Sequence, residues 1–380
     1  MLEYGYQWVY FAFYISLVLA FIIGVFKVRQ PEPVFDRGLE KNYSYSKFLG
    51  VLFLFPITFI AACRTYFIDT ADYVLMYEHT ASDFSTVNDG TIGNVEKGFI
   101  YFMALLKKVS DDPQILFIVT SIIICVSFVV FIYDNCVDVP FALMIFLCQT
   151  WTGTMNGLRQ FLVAAIVSLG WTKWTKSQRS IKNDILFVGL IILCSFFHKS
   201  VLICIVVFLM SRGMFFNIGT IISIIGTILL LVFPGFYRFV FEVVLSSGSY
   251  SEYENTTSQM GFMRLLVCAV PIILIIINRI NCKESTYNPN DRVNWMMNIC
   301  VFNFCCAILA MKMVFFARLS IYFSLFDIVI IPNLISKNFN EKTRSIIKMI
   351  AVFLYVIFFV YQMKAYGGYM ESFKLCFLES

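Results

Sequence analysis

Arg159 stands in Met155-Asn156-Gly157-Leu158-Arg159-Gln160, between the apolar runs Val139–Cys148 and Phe161–Val167. A guanidinium cannot shed its proton there, and placing one at the centre of a membrane helix costs about 2.5–3.5 kcal/mol on insertion scales. It therefore belongs at an interface, in a watered cavity or against an anion. Asn156 and Gln160 bracket it with amide donors, and Gly153, Thr154, Asn156 and Gly157 open the backbone ahead of it. Guanidinium and amides at the start of a helix suit a grip on pyrophosphate or carboxylate. An interfacial snorkel is the competing reading. His198, in Ser195-Phe196-Phe197-His198-Lys199-Ser200, is either an aromatic-belt residue or a general base or phosphate donor.

Other polar residues border apolar runs in the same way. Arg64, Asp69 and Asp72 follow one run; Asp69 and Asp72 lie three apart, so a helix there would put them on one face beside Tyr73 and Tyr77. Asp72 suits sugar binding or base catalysis, whereas Asp83 and Asp89 read as solvated loop. Glu96, opening Glu96-Lys97-Gly98, is either a site carboxylate or the cap of the short helix that follows. Arg264 and Arg318 are candidate cationic partners of Arg159. Asp327 lies deeper in an apolar run and needs a partner or a proton.

The elements that hold these residues are membrane helices. Of 380 residues 59% are hydrophobic and 14% charged, with mean hydropathy +0.79, a balance that excludes a soluble globular domain. The expected fold is an all-α polytopic membrane protein, one integral membrane domain with about twelve transmembrane helices. They fall near 7–26, 48–63, 113–133, 140–155, 157–172, 185–198, 200–211, 214–234, 264–278, 293–313, 316–335 and 346–363. Several are shorter than the ~20 residues of a straight span. The pairs around Gly157 and His198 are candidates for re-entrant hairpins. The first run, Trp8–Phe26, lacks a small-residue cleavage site and reads as a retained anchor.

Basic loops set the orientation. Lys27, Arg29, Arg37, Lys41 and Lys47 follow the first run and place that loop inside, with the N-terminus outside. Alternation then puts Lys173, Lys176, Arg179 and Lys182 inside, as well as Arg212, then Arg279, Lys283 and Arg292, and last Lys337, Lys342, Arg344 and Lys348. Both termini are expected outside. The outer loops, about 64–112 and 235–263, are acidic, and Glu96–Lys108 is expected to lie as a short helix in the outer interface. Arg64, Asp69, Asp72, Arg159, Gln160, His198, Arg264 and Arg318 all map to this outer side, which describes a site for an anionic ligand. The net charge of +5 gives no reason to expect nucleic acid.

Absent signals narrow the chemistry. There is no Gly-rich phosphate loop, no Gly-x-Ser-x-Gly elbow and no His/Cys cluster of metal-ligand spacing, so ATP-driven transport and serine hydrolysis lose ground. No cofactor and no metal are expected. The twelve cysteines mostly sit in apolar runs, so neither a disulfide framework nor a zinc site is expected.

Taken in order, these motifs resemble the EpsG family of bacterial exopolysaccharide membrane proteins, related to Wzy-type polysaccharide polymerases. The matching stretches are Arg64…Asp69…Asp72-Tyr73…Tyr77, Glu96-x-Gly98, Met155–Gln160, Phe197-His198-Lys199-Ser200 and Arg318…Tyr322-Phe323 before Ile331-Pro332, over residues 50 to 335. The resemblance implies a GT-C-like bundle with outer-face loops in the bacterial cytoplasmic membrane. It implies joining of undecaprenyl-pyrophosphate-linked oligosaccharide units at the outer face, and brings in membrane lipid, a chain-length regulator and a flippase as candidate partners. Arg159, with Arg264 or Arg318, would neutralise the lipid-pyrophosphate leaving group. His198, Asp72 or Asp69 would take the acceptor proton. Asn156, Gln160, Arg64, Glu96, Tyr73 and Tyr322 would complete substrate binding. Two other classes compete: a flippase for the same lipid-linked sugar, which should show cations on both sides and pseudo-symmetric halves, and a non-catalytic subunit of an exopolysaccharide machine.

Overall fold

Each of the twelve apolar stretches contains helix, and the polar residues between them mark where helix stops. The computed structural model describes residues 4–36, 38–82, 95–177, 180–233, 235, 261–281 and 291–378. Outside these lie nearly all of the second outer loop, with Glu242, Glu252 and Glu254, and also Arg37, Asp83, Asp89, Arg179 and Lys283.

Composition suggests one bundle, whereas contacts define two compact units: 1–32, 42–199 and 345–380 in the first, 33–41 and 200–344 in the second. Helix α1 (Gly5–Val25) opens the first unit and leads into a hairpin, β1 (Val28–Asp36) and β2 (Leu39–Ser44). Then come α2 (Lys47–Cys63), the three-residue strand β3 (Arg64–Tyr66), α3 (Thr70–His79), α4 (Lys97–Lys107), α5 (Gln114–Asn135), α6 (Val139–Gln149), α7 (Leu158–Lys176) and α8 (Ile181–Ser195). The second unit holds α9 (Ile203–Ser211), α10 (Ile218–Val232), α11 (Phe262–Asn281), α12 (Arg292–Ala310), α13 (Val314–Ser320) and α14 (Ser324–Asn338). The chain ends with α15 (Glu341–Ala365), the single turn α16 (Gly368–Glu371) and β4 (Lys374–Leu375), which pairs antiparallel with β3. Among the described residues two small two-stranded sheets accompany the helices.

Among the described residues five helices, α1, α5, α11, α12 and α15, are long and apolar enough to cross a bilayer. The pair α13–α14, bent by 57°, makes a sixth if it forms one broken span. Helices α2, α6, α9 and α10 are apolar but shorter. The twelve expected segments therefore exist as helices without all having the length of a straight crossing.

Helix α5 is the axis of the first unit, packed by α2, α6 and α7, and α12 plays that part in the second, packed by α9, α10, α11, α13 and α14. Each presents apolar residues around most of its circumference, as a helix surrounded by others must. Some buried polar groups pair between helices: Trp151 Nε1 donates to Ile57 O (3.2 Å), and Asn135 Nδ2 donates to Thr172 Oγ1 (2.8 Å). In the second unit Arg292, expected as a basic loop residue, is fully buried, and its Nη2 donates to both carboxylate oxygens of Asp36 at 2.9 Å.

Helices α3 and α4 make a small platform. Tyr73, Tyr77, Phe99, Ile100, Met103 and Leu106 form one apolar cluster with Leu116, Phe117 and Leu158. Lys107 Nζ reaches back to the carbonyls of Tyr77, Glu78 and Thr80, closing the C-terminus of α3 with a cation where the helix dipole favours one. With eleven residues, α4 is too short to span, as expected.

Candidate functional site

The start of α7 is built on a glycine for a steric reason. After α6 the chain makes a 3-10 turn, Thr152–Met155, and Gly157 enters α7 at φ +74°, where a side chain costs about 1–2 kcal/mol. Its N–H donates to Asp69 Oδ2 at 2.6 Å. Asp69 is itself the residue before α3, and its neighbour Ile68 is held at φ +44°, a rare conformation for a β-branched residue. Burial raises the Asp69 carboxyl to about 6, although the Gly157 N–H and the Arg64 charge both work to lower it.

Glu96 is the hub of the site. It precedes α4, yet its side chain caps nothing in that helix. Instead Oε2 meets Arg159 Nη1 at 2.5 Å, Oε1 accepts the Lys199 N–H at 3.0 Å, and Oε1 lies 3.4 Å from His198 Nδ1, an ion-pair distance that is long for a hydrogen bond. Burial alone would raise this carboxyl. The His198 ring, the Lys199 N–H and the Arg159 charge together outweigh burial and hold it at about 2. Glu96 is thus ionised throughout the physiological range, and its side chain is only 11% exposed against 19% for Arg159.

Glycine makes this junction possible. Gly98 N–H donates to Phe196 O at 2.8 Å, and a Cβ on Gly98 would sit 2.6 Å from that oxygen. Glu96-x-Gly98 is therefore a docking motif: the carboxylate takes His198 and Lys199, and the glycine lets α4 lie against the turn between α8 and α9. A shallow apolar groove of about 590 Å³, lined by Gly98, Tyr101, Phe102, Leu105 and Phe197, borders it. A larger groove of about 780 Å³ runs between α2 and α5; its only charged lining groups are Lys47 and Asp134.

The remaining expected residues divide. Tyr73 is buried, hydrogen-bonds Arg159 and packs edge-on to Phe99 at 5.9 Å. Gln160 is buried, Asn156 is half-buried and Asp72 is exposed on the first turn of α3. Arg64 does not open toward a ligand. It is 1% exposed, donates to Ala61 O and Ser121 Oγ, and lies over the Phe117 ring, so direct substrate contact is the part of its expected role that the structure removes. Arg264, Arg318 and Tyr322 belong to the second unit. There Arg264 and Arg318 are exposed beside one apolar cluster that includes Leu265, Cys268 and Ala317, while the buried Tyr322 hydroxyl meets Ser200 Oγ at 2.7 Å.

The geometry adds two carboxylates to one expectation. The start of α7 was expected to offer its cation and amides to a substrate anion. Two carboxylates of the protein, Asp69 and Glu96, share that end, so a substrate anion would meet Arg159 already paired on one side. The physical reason is the helix dipole: its positive end disfavours Arg159 and favours carboxylates, so Glu96 offsets the cost of the buried guanidinium. Gly98 was quoted only as a member of a motif, and Gly157 only as one of the residues that open the backbone before Arg159; their contacts depend on distant partners. Lys199 was quoted only as a neighbour in the His198 motif; its backbone N–H makes the contact with Glu96.

Fold and site together define a multi-pass membrane protein with a half-buried, charge-paired cluster where its short helices meet. A family model described as the EpsG family matches residues 47–375, and the chain belongs to that family, whose members are Wzy-like polymerases. The match runs past the stretch that carries the motifs and takes in the C-terminal tail up to β4. No curated protein and no solved structure matches the chain significantly.

Proposed function

We propose that the protein is a polysaccharide polymerase that joins undecaprenyl-pyrophosphate-linked oligosaccharide units at the outer face of the bacterial cytoplasmic membrane, by a GT-C-like glycosyl transfer. The observation that carries this reading is one carboxylate, Glu96, bridging a guanidinium and an imidazole in a member of a polymerase family. Glycosyl transfer from a lipid pyrophosphate needs those two functions. An acceptor hydroxyl attacks the anomeric carbon, the bond from that carbon to the phosphate oxygen breaks, and the lipid pyrophosphate leaves with the electron pair. The hydroxyl proton goes to a base.

In this proposal His198 is the base. Glu96 beside Nδ1 orients the ring and stabilises the imidazolium that forms, the division of labour of a carboxylate–histidine pair. Glu96 and Tyr73 hold the Arg159 guanidinium in place, and its charge is assigned to the leaving pyrophosphate, where it stabilises the developing negative charge. Asp69 is a positioning residue, since its carboxylate holds the Gly157 N–H. Asp72, exposed on the same short helix, is assigned to the sugar. The groove beside Gly98 and Phe197 suits the isoprenoid end of the carrier. Arg264 and Arg318 are proposed as further contacts for anionic ligand, and membrane lipid, a flippase and a chain-length regulator as partners.

Replacing Arg159 tests this. Both Arg159→Ala and Arg159→Lys should lower polymer about 100- to 1,000-fold, the cost of removing one preorganised donor to a developing charge, with single repeat units left on carrier. Lysine keeps the charge and loses the fork. Normal chain-length ladders from a stably inserted Arg159→Ala protein would contradict the assignment.

A further inference from the structure

Strand β4 brings the end of the chain to the second helix. Arg64 in β3 faces Leu375 in β4, antiparallel, and Cys63, the last residue of α2, and Cys376, the first of a 3-10 turn, adjoin that pair on its outward side. The two side chains lie within electrostatic reach of one another. Opposed residues such as Arg64 and Leu375 have Cα atoms about 4.5–5.5 Å apart, within the span a disulfide bridges, and the two cysteines are their immediate chain neighbours. Cys63 is half-buried and Cys376 exposed, whereas every other described cysteine is buried. The surroundings anchor the tail at this end of the unit: Phe373 O lies against Gly5, and Phe377 packs on Trp8 and Phe59.

We infer that Cys63 and Cys376 form a redox-closed staple that fastens the C-terminal tail beside the candidate site. The inference rests on the outer-face orientation of the proposed function, because only that side is oxidising. The oxidant class is an exchange-active disulfide. The exposed Cys376 thiolate attacks it and releases one thiolate; Cys63 then attacks the mixed disulfide at Cys376 and releases the second. One sulfur–sulfur bond forms and one breaks, and the protons of Cys63 and Cys376 end on the two departing thiols. The staple fixes β4 against β3, and β3 leads through Ile68 to Asp69, which holds the start of α7. It therefore restrains the segment that positions Gly157.

The test uses the whole chain in cells, with Cys282→Ser in every version because Cys282 lies outside the described residues. Cells are acid-quenched, free thiols are blocked, disulfides are reduced, and the new thiols are tagged with polyethylene-glycol maleimide. The expected result is two tags per chain, none in Cys63→Ser or Cys376→Ser, and a non-reduced peptide linking the two positions. In parallel, intact cells treated with reductant are labelled with a sulfonated, membrane-impermeant maleimide. No tags together with impermeant labelling of Cys376 would overturn the staple and leave the orientation standing. Labelling only after permeabilisation would overturn the orientation and the staple with it. Two tags that persist in the doubly substituted chain would assign the disulfide elsewhere and also overturn the inference.

Discussion

Glu96 ties Arg159, His198 and the Lys199 backbone together across 63 to 103 residues of chain. That separation explains what the sequence could and could not reveal. Arg159 is conspicuous because a charge between apolar runs is expensive, and His198 because the chain has only two histidines. Glu96 looks like an ordinary helix cap, since nothing local reveals that its side chain turns away from its own helix. Breaking a buried pair by removing one partner costs about 3–5 kcal/mol at most, less for a pair with some exposure. Glu96→Gln should therefore keep the fold, loosen His198 and lower polymer yield about tenfold or more. Wild-type yield from a folded Glu96→Gln protein would contradict the hub. The Glu96 carboxyl is held below its usual 4.5, so its contribution to stability is fully present above pH 4.5 and disappears as pH falls toward 2. Thermal unfolding in detergent across that window should show a loss that Glu96→Gln lacks. Asp69 has the opposite sign: its carboxyl is raised from 3.8 to about 6, so its contribution is fully present below 3.8 and lost as pH rises through 6. If the ionised Asp69 is what holds Gly157 for catalysis, the acid limb of polymer formation should fall near pH 6 and flatten in Asp69→Asn. An unchanged limb in that variant would assign the titration to another group.

At the scale of elements, apolar periodicity and length locate all twelve helical segments, because in a bilayer the backbone must satisfy itself and helix is the only local answer. The same patterning does not show which segments stop short. Whether α6 ends at Gln149 and whether α13–α14 bends by 57° depend on packing that distant residues supply. The β3–β4 pair is invisible for a related reason, since three residues meeting two from the tail carry no strand signature. Glu96-x-Gly98 was legible as a motif but not as a joint. Gly98→Ala tests the joint directly: its Cβ would press on the Phe196 carbonyl, which is backbone and cannot swing aside. The expected cost is about 1–3 kcal/mol with polymer formation lost, read by melting temperature and chain-length ladder. Gly189→Ala, whose Cβ meets open space, is the matched control and should leave both unchanged.

For the whole molecule, composition and hydropathy establish the membrane protein, and the family match over residues 47–375 establishes its kinship. Division into two compact units was not legible, because the hydropathy pattern is the same in both. The paired cluster lies wholly within the first unit, which accounts for the clustering of the strongest motifs before residue 200. The central claim is that this cluster makes polymer rather than moving a lipid-linked sugar across the bilayer. The most direct measurement gives the purified protein, in detergent, a defined undecaprenyl-pyrophosphate-linked repeat unit and follows product length. The polymerase reading predicts a ladder of lengthening chains with release of lipid pyrophosphate, absent with His198→Ala and with Arg159→Ala. Unreacted single repeat units, from protein that restores polymer when returned to cells, would contradict it.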